Sequence, residues 1–170
     1  VERPQRLQGC PELNKPRDSR EFVMGKVLED INFAATHLRE TKDTYSSLVN
    51  RFTALAMKSR ICLFEGTYRK YHTGLGLTDA AAWLQEAANA AKAVIDSKQY
   101  QLYNTGKPES DYRTLFITEN MSGMPKIAGE VILGRLMNTE SRVWHDLTWN
   151  FNSQTNGSRW SLVRPFVNTY

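Results

Sequence analysis

Apolar residues recur at steps of three and four along three stretches of the chain, and that spacing predicts three amphipathic helices. The first covers residues 19–39, where Phe22, Val23, Val27, Leu28, Ile31, Ala34, Ala35 and Leu38 fall on one side and form the expected core face. An irregular lead-in, 1–17, precedes it and holds Pro4, Pro11 and Pro16. Asp18-Ser-Arg-Glu21 has the spacing of a capping box, in which the first side chain takes a free backbone N–H and Glu21 reaches back. The polar run Glu40-Thr-Lys-Asp-Thr-Tyr-Ser-Ser turns the chain toward a second helix over 50–71, with Phe52, Leu55, Ala56, Ile61, Leu63, Phe64 and Tyr68 apolar. Ala54, Ala56 and Gly66 leave room for a partner helix to come close. His72-Thr-Gly-Leu-Gly ends this helix, and Thr78 or Asp79 is placed to cap a third over 80–95, whose many alanines give it the highest intrinsic helix propensity in the chain.

The second and third helices form an antiparallel pair, and their combined length fits the roughly 34-residue unit of tetratricopeptide repeats once a long connection is allowed. After Ser97 the texture changes to polar segments broken by Gly and Pro. Glu130-Val-Ile-Leu133 reads as a short strand, residues 143–151 partly alternate, and Asn156-Gly157 is a favoured hairpin pair. The fold class expected is mainly α: tetratricopeptide-repeat-like helix pairs over 18–103, then an irregular loop and short-strand region over 104–170 within the same domain.

Composition narrows the function. A chain of 170 residues can build one real core, burying roughly 70% of its unfolded surface. The net charge is +4, but the basic residues alternate with acids such as Glu21, Glu29, Asp30 and Glu40, which reads as solvated helix faces and not as a nucleic-acid stripe. No apolar run approaches the roughly 20 residues that span a bilayer. Cys10 and Cys62 have no metal or redox spacing, and Cys62, among Ile61, Leu63 and Phe64, reads as a small buried hydrophobe. His37, His72 and His145 are far apart, with Asp146 the only nearby carboxylate, so neither a metal site nor a hydrolytic triad is expected, and no cofactor. Arg60 is expected to snorkel or to pair with an acid such as Glu86, while Trp83, Tyr68, Tyr71 and Tyr100 are read as helix packing.

Five motifs occur in order. Lys15-Pro-Arg-Asp-Ser-Arg20 leads into Val27-Leu-Glu-Asp-Ile-Asn-Phe-Ala-Ala35 and Leu38; Ala54-Leu-Ala-Met-Lys-Ser-Arg-Ile-Cys-Leu-Phe-Glu-Gly66 follows; then Ala87-Ala-Asn-Ala-Ala-Lys-Ala-Val-Ile-Asp-Ser-Lys-Gln-Tyr-Gln-Leu102, Tyr112-Arg-Thr-Leu-Phe116 and Glu130-Val-Ile-Leu133. Together they resemble the SusD/RagB family of outer-membrane nutrient-binding lipoproteins of Bacteroidetes. Lys98 departs from the small residue usual before the Tyr, and nothing after Leu133 aligns. The resemblance implies a segment of a longer, lipid-anchored chain on the cell surface. It also implies capture of oligosaccharides, or in some branches peptides, for a SusC-like TonB-dependent transporter, without catalysis.

Sugar sites combine flat aromatic rings, which stack on the apolar C–H face of a pyranose, with amide, carboxylate or guanidinium partners for the hydroxyls. Trp144, Trp149 and Trp160 lie among Asn150, Asn152 and Arg159, and these six are the candidate glycan-binding residues. Taken singly, each tryptophan is more simply a loop anchor, worth ~1.5–3 kcal/mol by burial alone. Two other functions remain open: a helical-repeat scaffold for protein partners, and a glycan-processing enzyme, which needs two carboxylates facing each other.

Overall fold

The computed structural model describes residues 15–118 and 120–137, together with 140, 142, 147, 150 and 162–168. The chain is mainly α. It divides into a helical unit, residues 1–42 and 49–100, and a second unit, residues 43–48 and 101–170.

The helical unit contains α1 (Arg20–His37), α2 (Arg51–Tyr71) and α3 (Ala80–Asp96). Ser19 caps α1, its hydroxyl accepting the Phe22 N–H at 3.3 Å. The expected box is therefore shifted by one residue: Asp18 pairs instead with Lys15, and Glu21 is drawn across to α2. Asn50 caps α2 in a reciprocal box with Thr53, and both residues are buried. Asp79 stands at the N-terminus of α3 but makes no capping bond; its backbone is left-handed, with φ of 65°. A 3-10 turn, Thr73–Leu75, closes on Gly76, whose φ of 66° suits a residue without a Cβ.

The seam between α2 and α3 shows why the small residues are there. α3 buries Trp83, Ala87, Ala90 and Val94, a stripe of steps four, three and four, and α2 buries Ala54, Cys62 and Gly66. A Cβ built on Gly66 would lie 2.7 Å from Leu84 Cγ and 3.0 Å from its backbone N, so the close approach depends on glycine. Cys62, Trp83 and Ala87 form the core cluster, with Met24 and Leu28 of α1 packed against it. At the far end of the pair, Phe52 meets Tyr100 edge-on at 6.2 Å, and the Tyr100 hydroxyl accepts from Asn50 Nδ2. The pair is antiparallel, as expected.

Helix α1 packs against α2, with Met24 and Leu28 reaching the Cys62, Trp83 and Ala87 cluster, and buries no residue completely. Its packed side matches the expected one at Val27, Leu28, Ile31, Ala34, Ala35 and Leu38 and departs from it only in the first turn. Met24, Val27, Leu28 and Ile31 are partly covered, while Phe22 and Val23 face outward, 50% and 44% exposed. On α2, Leu63, Phe64 and Tyr71 are likewise exposed, which corrects the reading of Tyr71 as packing. Arg60 is exposed too, and Glu86 pairs with Lys58 instead.

The second unit contains α4 (Pro108–Ile117), α5 (Asn120–Ile127) and a short α6 (Arg164–Val167). Among the described residues there is no strand. Glu130 closes a turn on the Ile127 carbonyl, and its side chain, in place of a backbone ladder, takes the neighbouring chain, so 130–133 form turn and bend. The hairpin expected at Asn156-Gly157 lies outside the described residues.

Candidate functional site

Of the six predicted glycan-binding residues, Trp144, Trp149, Trp160, Asn152 and Arg159 lie outside the described residues. Asn150 is described and half-buried. Two other constellations are in view, one in each unit.

The first is a buried charge cluster in the helical unit. Glu65 and Arg69 stand one turn apart on α2, both on the side turned inward, with exposures of 0% and 2%. Arg69 Nε donates to Glu65 Oε1 at 2.8 Å, its Nη1 to Glu21 Oε1 at 2.7 Å and to the Thr78 carbonyl at 2.9 Å, and its Nη2 to Glu21 Oε2 at 2.9 Å. Arg20 closes the group, donating to Glu65 Oε2 at 2.7 Å from Nη2. Burial by itself would raise the Glu65 carboxyl, but the hydrogen bonds from Arg20 and Arg69 outweigh it and hold Glu65 below the ordinary glutamate range. Arg20 also lies 3.8 Å over the Tyr68 ring, and Arg69 lies 5.1 Å from that of Trp83. Both oxygens of Glu65 are thus occupied by guanidinium donors. The cluster is suited to fixing α1, α2 and the turn before α3, and unsuited to proton transfer.

The signal for this cluster was present in the sequence. Glu65 and Arg69 continue the inward stripe of Ala54 and Cys62 at helical steps, although an i,i+4 acid–base pair is more usually a surface feature. Cys62 itself is a buried free thiol, its pKa raised by burial. The described histidines are tied locally: His37 Nδ1 bonds the Phe33 carbonyl and His72 Nδ1 the Tyr68 carbonyl, each ring stacked on its partner's.

The second constellation is an open groove in the second unit, about 310 Å³, lined by Leu102, Tyr103, Asn104, Pro108, Asp111, Tyr112, Leu115 and Glu130. Its walls are set by side chains bonded to backbone. Glu130 Oε2 accepts the Tyr103 N–H at 2.6 Å, and the Gly129 carbonyl accepts the Gln101 N–H at 3.0 Å, so residues 101–103 lie along the end of α5. Asp111 Oδ2 accepts the N–H groups of Thr105 and Lys107, and its Oδ1 accepts the Thr105 hydroxyl at 2.6 Å. These bonds, from Thr105 above all, hold the Asp111 carboxyl below the ordinary aspartate range. Asn104 Oδ1 accepts the Gly106 N–H, and Gly106 takes a φ of 83° to complete the turn. The Tyr112 ring, 75% exposed, is braced by Phe116 at 4.9 Å.

Among the described residues no group of three or more His, Cys, Asp and Glu is arranged to hold a metal, and no helix is long and apolar enough to cross a membrane. Comparison with known protein families, curated proteins and solved structures gives no match for this chain.

Proposed function

We propose that this chain is part of a non-catalytic, cell-surface protein of the SusD type that captures oligosaccharides and delivers them to a TonB-dependent transporter. The observation that carries the reading is where its ordered motifs fall. Ala54 to Gly66 supplies the α2 side of the tight seam, and Ala87 to Ile95 supplies the α3 side. Tyr112 to Phe116 lies within α4, and Glu130 anchors the chain after α3 through the Tyr103 N–H. Two of the motifs thus supply buried residues of the α2–α3 seam, and Glu130 of a third holds the Tyr103 N–H.

In this reading the protein is anchored at the outer membrane by a lipid, and its partners are the glycan and the transporter. The test is titration of the full-length protein against a panel of neutral oligosaccharides, with Trp144→Ala, Trp149→Ala and Trp160→Ala as variants. Micromolar binding that weakens in those variants is expected; no binding across the panel overturns the reading. A reducing-sugar assay on the same panel exposes turnover if there is any.

One observation favours a second reading, a helical scaffold for protein partners. Phe64, Tyr68 and His72 stack along α2, and Phe64 is 63% and Tyr71 72% exposed. Glycan binding left intact by substitutions at Phe64 and Tyr71, with transporter co-purification lost, assigns that ridge to the transporter and joins the two readings.

A further inference from the structure

We propose that the groove between Tyr103 and Tyr112 is a binding subsite for one neutral sugar ring of an oligosaccharide, separate in the chain from the tryptophan-bearing segment. The inference rests on the capture reading and gives it a second point of contact.

The argument starts from what the groove offers. Leu102, Pro108 and Leu115 provide apolar surface, and the tyrosine rings provide flat faces of the kind that stack on pyranose C–H groups. Tyr112 is exposed beside the equally open Phe116, so its ring is accessible to a ligand. The polar groups are pre-set. Glu130 is tethered through Oε2 to the Tyr103 N–H, which fixes the direction of a carboxylate that lines the groove. Asn104 spends its carbonyl oxygen on Gly106, so its contribution to a ligand is the amide N–H₂ donor. An anchored acceptor, an amide donor and aromatic faces together match a ring with an apolar face and a rim of hydroxyls.

Size and charge narrow the ligand class. A cavity of about 310 Å³ is at the small end of ligand sites, suited to a single ring and not to an extended chain. The two carboxylates on its wall exclude an anionic sugar such as a uronate. Asp111 is already satisfied by Thr105 and Lys107 at both oxygens, which weakens the case for a cationic ligand and leaves hydrogen bonding to hydroxyls as the main polar interaction.

The experiment is calorimetric titration of the full-length protein with neutral gluco-, manno- and xylo-oligosaccharides, using Tyr112→Ala, Tyr112→Phe and Glu130→Gln. Tyr112→Ala is expected to raise Kd by about fivefold to tenfold through lost stacking, and Tyr112→Phe to leave it within about twofold. Glu130→Gln, which keeps an acceptor for the Tyr103 N–H, is expected to raise Kd by about tenfold. Circular dichroism of each variant confirms that the helices are retained, as the exposure of Tyr112 leads one to expect. Binding that is untouched by all three substitutions but lost in the tryptophan variants overturns the groove and keeps the capture reading. Affinity only for amino sugars, falling steeply with salt, overturns the neutral-ring assignment, and no binding to any glycan removes both.

Discussion

The two units hold their shape by different means. In the helical unit, side chains far apart in sequence meet: Cys62 with Trp83 and Ala87, Gly66 with Leu84, Arg69 with Glu21. In the second unit, single carboxylates bond backbone, locally where Asp111 takes Thr105 and Lys107 and Asp43 takes Ser47 and Leu48, and at longer range where Glu130 takes Tyr103. The first arrangement stores its stability in burial between helices. The second shapes loops and sets the directions of polar groups. A framework and a ligand-facing surface place just these separate demands on a chain.

Substitutions can break this comparison, and the largest effect belongs to the seam. Trp83→Ala removes the largest side chain of the core cluster and is expected to destabilise the protein by about 3–5 kcal/mol in urea unfolding. A cost under about 1 kcal/mol would show that the α2–α3 seam does not carry the unit. Glu65→Gln leaves two guanidinium groups without their shared carboxylate, and about 3 kcal/mol of loss is expected. The sign of its pH dependence follows. Because the folded-state pKa of Glu65 is depressed, its contribution is fully present above the ordinary glutamate range and disappears as the pH falls through the lower folded value. Unfolding of the wild type should therefore steepen in acid relative to Glu65→Gln.

Gly66→Ala sets two terms against each other. Alanine favours the helix by about 1 kcal/mol, but its Cβ would collide with Leu84, at a cost of about 1–3 kcal/mol. A net effect between neutral and a loss of about 2 kcal/mol in thermal unfolding is expected, and a gain would mean that α3 can shift away freely.

Smaller and local effects follow, at Asp43 in the second unit and at Arg51 in the helical unit. The Asp43 carboxyl is lowered to about 2 by the N–H of Ser47, against some opposing burial, and further by Leu48 and the Ser47 hydroxyl. Its contribution to the 43–48 turn is present above the ordinary aspartate range and is lost as the pH falls through about 2. Amide shifts of Ser47 and Leu48 in an NMR titration should report a midpoint near that value. A midpoint near an ordinary aspartate would dissolve the turn as drawn. The smallest effect is expected from Arg51→Ala, which removes an exposed pair with Glu40 and should cost under about 0.5 kcal/mol.

The sequence was most legible where packing repeats. The alanines of α3 marked it as a helix, and Trp83, read as packing, is buried there together with Ala87, Ala90 and Val94. On α1 the periodicity picked out Val27, Leu28, Ile31, Ala34, Ala35 and Leu38, which are partly covered, and missed in the first turn, where Met24 is packed and Phe22 and Val23 lie outside. Glu65 and Arg69 were hidden by their ordinary i,i+4 spacing, since nothing local says that such a pair is turned inward. The groove left no periodic trace at all. Its shape depends on which backbone N–H groups Asp111 and Glu130 capture, and one carboxylate in a polar stretch looks like any other. The tryptophan cluster, legible as chemistry, lies outside the described residues.

Arg69 shows what such a cluster means for substitution. Its guanidinium makes four hydrogen bonds, to Glu65, to both oxygens of Glu21 and to the Thr78 carbonyl, while lying near the Trp83 ring. A lysine would keep the charge, but it has fewer donors, converging on one nitrogen, and no plane to lay beside an indole. Arginine and lysine are therefore not synonyms at this position.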